Sequence, residues 1–314
     1  VNIEMNPHVL SAGKALLTGA SGFIGSALAR RLIDIGVNVV GTARNKRESL
    51  AEEVSWYFGD LANAAFVQQV FAAERPDVVF HLASFASSNR SRDVVLEAFH
   101  SNLASTVNLL VAADAMGCQR VILTGSFEEP EPGNLSAPVS PYAAAKCAAA
   151  SYAQMFHALY HTPVVTARLF MVYGPGRQDM GKLIPYVIRS FHMKCPPELS
   201  SGVRQVDWIF VDDVVSAFLH LATAKSVEGR TFDVGSGRLV TIRDVVEEIQ
   251  SLMKPVVVPR WGALPDRPLE RVRVANIGLT ERHTGWHPKS SLREGLQKTI
   301  DWVAMGAGRR PARP

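Results

Sequence analysis

Tyr142 and Lys146 stand four residues apart in Tyr142-Ala143-Ala144-Ala145-Lys146. On a helix, positions i and i+4 share a face, so the phenol and the ammonium meet the same space. An ammonium beside a phenol favours the phenolate and draws its pKa toward working pH, which makes Tyr142 a candidate general acid/base. Ser126, in Leu123-Thr124-Gly125-Ser126, carries a hydroxyl able to donate to the same substrate oxygen. A Tyr-x-x-x-Lys pair alone arises often by chance. Its weight comes from its setting, which a second constellation defines.

That constellation is Thr18-Gly19-Ala20-Ser21-Gly22-Phe23-Ile24-Gly25. It follows the apolar run at 15–17 and opens a helical pattern with apolar residues at Ile24, Leu28, Leu32 and Ile35. Gly19 permits a tight turn, Gly22 lets the backbone approach a pyrophosphate, and Gly25 lets the helix pack on the strand. Gly22, Phe23, Ile24 and Gly25 begin a helix whose free N–H groups and positive dipole end suit phosphate. The plain alternative, a glycine-rich turn, is disfavoured by the strand before and the helix after.

The end of the second strand selects the dinucleotide. A ribose 2′-hydroxyl calls for Asp or Glu there, but Val39-Val40-Gly41-Thr42-Ala43-Arg44-Asn45-Lys46-Arg47 has no carboxylate before Glu48. A guanidinium grips a 2′-phosphate with two charge-assisted bonds. Arg44 therefore points to NADP(H) rather than NAD(H), against the plainer reading of a solvated basic turn. Asp60, with Leu61 beside it, either accepts from the adenine amino group or caps the helix that follows.

These residues need elements to place them. Apolar runs at 15–17, 37–40, 54–58, 78–80 and 121–123 read as strands, and helical patterns cover 22–34, 64–73, 94–116 and 141–160. Pro141 fits the first turn of the last. Strand–helix alternation implies right-handed crossovers and a parallel sheet with helices on both faces. The expected fold is α/β, a Rossmann-type doubly wound parallel sheet with a smaller C-terminal α/β substrate domain. The second half is punctuated by prolines, with strands expected at 208–211, 231–234 and 256–258 and helices at 213–223, 242–253 and 291–304. The expected division is a cofactor domain at 1–174, with 204–224 returning to it, a substrate domain at 175–203 and 225–304, and a flexible tail at 305–314.

Composition agrees with an ordinary globular chain: 314 residues, 47% hydrophobic and 20% charged. That excludes a disordered chain and a coiled coil. Thirty-three Lys and Arg against 29 Asp and Glu leave a net charge of +4. The basic stripe interleaved with aromatics that a nucleic-acid reader needs is missing. Cys118, Cys147 and Cys195 form neither a disulfide framework nor a zinc pattern, so no metal is expected and a reducing, cytoplasmic setting is. No apolar run reaches the roughly 18 residues of a membrane span, and residues 1–14 lack the order of a signal peptide.

Taken together, the motifs resemble the extended short-chain dehydrogenase/reductase family, in particular its nucleotide-sugar epimerases, dehydratases and reductases. The carrying segments are Thr18 to Gly25, His81-Leu82-Ala83-Ser84, Asn102, Thr124-Gly125-Ser126, Ser140 to Lys146, and Arg168 through Tyr173-Gly174-Pro175-Gly176. Asp207-Trp208-Ile209-Phe210-Val211-Asp212-Asp213, Asn276 through Trp286 with Pro288, and Gly295 through Trp302 extend it over nearly the whole chain. The resemblance implies a triad in which Tyr142 exchanges a proton with a sugar hydroxyl or ketone, Lys146 holds the nicotinamide ribose, and Ser126 orients the oxygen. It also implies that Ala83 lines the cofactor site and that Ser84, Glu128, Arg204 and Arg267 face the substrate. His81 and Asn102 take structural roles, and the helices from Val94 and Pro141 pair into a homodimer interface.

Departures from the family pattern refine the expectation. Relatives that eliminate water follow the Ser or Thr with Asp-Glu; here Phe127 stands for the Asp and Glu128 for the Glu, while Glu129 has no catalytic place. Met171 stands where Asn often precedes Val-Tyr-Gly, and Val206 where Arg often precedes the Asp-aromatic pair. Arg204 is a nearby substitute, and Arg267 with Pro268 matches a diphosphate-binding Arg. The expected function is an NADPH-dependent ketoreductase acting on a nucleotide-linked 4-keto-6-deoxyhexose. Its alternatives are a redox-neutral nucleotide-sugar epimerase or dehydratase with a tightly held cofactor, and a ketoreductase of a non-nucleotide natural product. A non-catalytic NADP sensor is disfavoured by the complete triad.

Overall fold

A computed structural model describes residues 13–46, 52–87, 89–130 and 137–307. Arg47, Glu48 and residues 308–314 of the expected tail lie outside the described residues. Seven strands form the main sheet: β1 (Lys14–Thr18), β2 (Asn38–Ala43), β3 (Ser55–Phe58), β4 (Val78–His81), β5 (Arg120–Ser126), β6 (Val164–Leu169) and β9 (Thr231–Val234). Their order is β3-β2-β1-β4-β5-β6-β9, and every neighbouring pair is parallel. The central strands are buried on both faces, as continuous apolar runs such as Ala15-Leu16-Leu17 and Val121-Ile122-Leu123 require.

Two layers of helices cover the sheet. On one face α1 (Phe23–Asp34) and α7 (Val211–Thr223) bury Leu28, Leu32, Val214 and Phe218 against Leu17, Phe80 and Ile122. The other face takes α2 (Ala64–Glu74), α4 (Ser105–Met116) and α5 (Pro141–Tyr160), which bury Val67, Leu109, Ala153 and Phe156 on Leu16, Val79 and Val121. A short helix α3 (Val95–Ala98) runs through a π-helical segment (Phe99–Ala104) into α4. The 25-residue run Arg92–Met116 is long and apolar enough to cross a membrane by length and composition alone. Here its inner face, Leu109, Leu110 and Ala113, packs on the sheet.

A three-stranded sheet, β10-β8-β7, builds the second lobe from β7 (Met171–Tyr173), β8 (Gln205–Phe210) and β10 (Leu239–Thr241). It packs with α6 (Leu183–His192), α8 (Ile242–Met253) and α10 (Leu292–Trp302), and α9 (Ile277–Thr284) lies beside β9. The chain interleaves the two lobes. β8 pairs within the small sheet while α7, directly after it, returns to the large one. Thr231–Val234, counted with the substrate half from sequence, is the seventh strand of the large sheet.

One expected element is corrected. Residues 256–258 form no strand, because Pro255 and Pro259 bracket them and Val256 and Val258 point to solvent, 81% and 71% exposed.

Candidate active site

The phosphate loop is shaped by what its glycines lack. Gly19 has φ +67°, and a Cβ there would stand 2.7 Å from the Ala83 backbone nitrogen. A Cβ on Gly25 would stand 2.1 Å from the Gly19 carbonyl oxygen, so α1 could not seat so close to the turn. Gly22 is the helix N-cap and no side chain caps α1. The first N–H groups of the helix therefore need an outside acceptor, and the cradle fits a dinucleotide pyrophosphate.

A buried network fixes the far wall of this cradle. Thr18 Oγ1 lies 2.8 Å from His81 Nδ1 and accepts from Ala83 N–H at 3.1 Å. His81 Nε2 lies 3.0 Å from Thr106 Oγ1, which itself donates to the Asn102 carbonyl. Thr106 can then only accept from His81, so the ring carries its proton on Nε2 and accepts from Thr18. Burial pushes the His81 pKa down to about 3, holding the ring neutral. Asn102 accepts from Ser84 Oγ at 2.7 Å and from Phe85 N–H at 2.9 Å. His81 and Asn102 are scaffold for the Ala83–Ser84 loop.

Ser126 is buried at the carboxyl end of β5, and its hydroxyl and that of Ser84 draw the Tyr142 pKa down against the effect of burial. Tyr142 is placed by the start of α5, where Ser140 Oγ accepts from Ala143 N–H at 3.0 Å and Pro141 fills the first turn. Lys146 does not bring the Tyr142 pKa down as expected. Lys146 Nζ donates to the Thr124 carbonyl at 2.8 Å, with Thr124 Oγ1 at 3.3 Å, and lies 6.0 Å from the Tyr142 ring centroid. Burial, with Glu128 and Glu129 adding to it, raises the Tyr142 pKa above its ordinary value. Burial also draws Lys146 down to about 8, against the pull of Glu129.

Glu128 adjoins this group. Its carboxylate is 3.4 Å from Ser140 Oγ, and its pKa is raised by burial and by Glu270. Arg204 forms an ion pair with Glu270, and Arg267 approaches the same carboxylate at 3.9 Å. Arg90 donates to the Pro268 carbonyl at 2.6 Å and Arg271 to Ala137 at 3.2 Å, so the 267–271 segment straps across the mouth above Glu128. Phe127, nine-tenths buried, stacks on Phe170 at 5.7 Å with Ala275 against them.

The structure therefore brings Ser84, Ser126, Glu128, Tyr142 and Lys146 together at the carboxyl edge of the sheet, with Gly19 against Ala83, and puts Arg204 beside Glu128. Arg44 sits past β2 with its side chain 69% exposed, 3.9 Å from Glu97. Asp60 makes a local turn, accepting from Ala62 N–H at 2.9 Å, while Asn63 caps α2; Asn108 holds the Leu61 carbonyl at 3.0 Å. Sequence reasoning missed a charged chain behind the triad. Glu129 accepts from Ser126 N–H at 2.6 Å and faces Arg168 at 3.8 Å, which pairs with Asp233 at 3.0 Å. Arg168 and Asp233 are register partners on β6 and β9, a signal visible only once the strands are paired.

With the phosphate seat after β1 and the Tyr142 hydroxyl beside the end of β5, both chemistries sit at one edge of a parallel sheet. The chain is an oxidoreductase-type enzyme of the extended short-chain dehydrogenase/reductase class. More narrowly, residues 15–235 match the NAD dependent epimerase/dehydratase family, and the chain belongs to it. It is 32% identical to a dTDP-glucose 4,6-dehydratase of Neisseria gonorrhoeae, across 94% of this chain and 96% of that protein. Among solved structures, it resembles a UDP-glucose 4-epimerase of Thermotoga maritima with UDP-glucose (TM-score 0.85, 25% identity, 94% and 99% of the two chains). A Thermus thermophilus UDP-glucose 4-epimerase in complex with NAD is similar as well (TM-score 0.79, 27% identity, 93% and 99%). These relatives are epimerases and dehydratases, which turns the reading from the ketoreductase to its alternative.

Proposed function

We propose that this chain is a redox-neutral nucleotide-sugar epimerase that keeps its nicotinamide dinucleotide through the cycle. The observation that carries it is Phe127. Elimination of water needs an acid for the departing hydroxyl, and position 127 holds a phenyl ring stacked on Phe170. Family membership favours the epimerase and dehydratase chemistries over net reduction, and Phe127 removes the elimination acid.

The dinucleotide, when bound, supplies the hydride acceptor and donor. Tyr142 takes the proton of the sugar hydroxyl and returns it to the same oxygen after the ketone has turned its opposite face toward the dinucleotide. Its high pKa keeps it protonated in the free enzyme, so it needs a nearby positive charge to act as base. Ser126 and Ser84 hold the sugar oxygen against the phenol. Lys146, fixed by Thr124, holds the nicotinamide ribose, and Arg204 and Arg267 meet the diphosphate. The test is to give purified protein UDP- and dTDP-hexoses and follow sugar configuration by NMR with nicotinamide absorbance. Interconversion without net absorbance change supports the reading; stoichiometric NADPH loss with a 4-keto sugar nucleotide overturns it.

The exposed Arg44 guanidinium favours NADP(H), so Arg44→Ala weakens NADPH binding more than NADH binding; equal losses defeat the 2′-phosphate role. Val95, Leu96 and Phe99 beside α4, and Tyr152 and Leu159 on α5, are exposed apolar side chains. We assign them to a homodimer interface, and Leu96→Glu should shift the mass seen by light scattering from dimer to monomer.

A further inference from the structure

A groove of about 580 Å³ lies outside the dinucleotide and sugar positions, between α5, the β6–β9 edge and α9. Three guanidinium groups line it, from Arg168, Arg230 and Arg273, against the carboxylate of Asp233 in the lining and that of Glu129 behind Arg168. Gln154, Asn276 and His283 add neutral polar groups. The Arg230 guanidinium lies 3.2 Å from His283 Nε2, which pins it at the rim. Arg168 is 12% exposed, and its Nε, buried on the Glu129 side, has no hydrogen-bond partner among the described residues. Guanidinium groups at a surplus of positive charge suit phosphate oxygens, which they bind in pairs. The volume falls in the range of small-molecule sites.

We propose that this groove is a second, non-catalytic anion site for a small phosphorylated metabolite, and that Arg168 couples it to the catalytic loop. The coupling runs through contacts already described. Arg168 holds Asp233 at 3.0 Å and faces Glu129 at 3.8 Å, and Glu129 accepts the Ser126 N–H at 2.6 Å. An anion on Arg168 competes with Glu129 for the guanidinium. Losing that cation lets the buried Glu129 take up a proton, and the neutral carboxyl is a weaker acceptor, which loosens the Ser126 backbone beside Tyr142. By linkage, substrate held by Ser126 alters affinity for the anion by the same factor. The site stands whatever reaction Tyr142 performs.

The test uses inorganic pyrophosphate with full-length protein saturated with NAD, so that the dinucleotide seat is filled. Calorimetric titration should show binding that weakens at least tenfold in Arg230→Ala and is largely kept in Arg230→Lys. Neither exposed substitution touches the triad, and unchanged melting temperatures confirm folding. Absent binding, or binding indifferent to Arg230→Ala, overturns the site. Hydrogen exchange reads the coupling: pyrophosphate should speed exchange of the Ser126 amide several-fold in the parent and leave it unchanged in Arg230→Ala. Unaltered exchange in the parent overturns the coupling.

Discussion

Lys146 is a charge held in a place that disfavours it. Its pKa falls to about 8 in the folded protein from an ordinary value near 10.5. Between those values the unfolded chain binds the proton and the native state does not, so stability rises with pH there. Below pH 8 both states are charged, and burying the ammonium costs of order 3 kcal/mol. Lys146→Met should therefore gain stability relative to the parent at pH 7, and that advantage should shrink by pH 10, as urea unfolding at the two pH values will read. Tyr142→Phe tests the same place chemically: turnover falls by about 10²–10⁴ while dinucleotide binding, measured by fluorescence titration, is retained. The triad was legible because Ser126, Tyr142 and Lys146 fall in two short local motifs. The Glu129–Arg168–Asp233 chain was not, because its members meet only through strand pairing, 65 residues separating Arg168 from Asp233.

At the scale of elements, the junction of β1 and α1 is the least tolerant point. Gly25→Ala puts a methyl against the Gly19 carbonyl, and α1 must move away. We expect a loss of about 1–3 kcal/mol, seen as a lower melting temperature, together with dinucleotide binding weakened beyond detection by titration. Ser140→Ala removes the cap of α5 and a partner of Glu128, at about 1 kcal/mol; chemical denaturation measures it, with slower turnover because Tyr142 rides on that helix. The central strands were readable because they are buried on both faces and so nearly all apolar. Helix α6 was hidden by Pro185, tolerated because it lies in the first turn. The run 256–258 misled for the converse reason: β-branched residues imply a strand only where a partner edge exists, and here two prolines hold them at the surface.

At the scale of the whole molecule, the strap at 267–271 ties the two lobes over Glu128 through Arg90, Ala137 and Arg204. Glu270 presents Arg204 with a carboxylate where a substrate diphosphate would bring its own negative charge. Glu270→Gln should lower KM for a nucleotide sugar several-fold with little change in kcat, read from initial rates. A raised KM would make Glu270 a substrate contact instead.

The interleaving of the lobes also governs how the protein can be made. A ribosome that has reached residue 174 has delivered the phosphate loop and the whole triad, yet neither α7 nor β9 exists. The sheet then lacks the helix that carries Val214 and Phe218 onto Phe80 and Ile122, and β6 has a bare edge. Such a nascent chain cannot bury its apolar face and offers an open strand to neighbouring chains, so it depends on protection until residue 234 emerges. Cofactor and triad thus become competent late in synthesis, after most of the polypeptide has appeared.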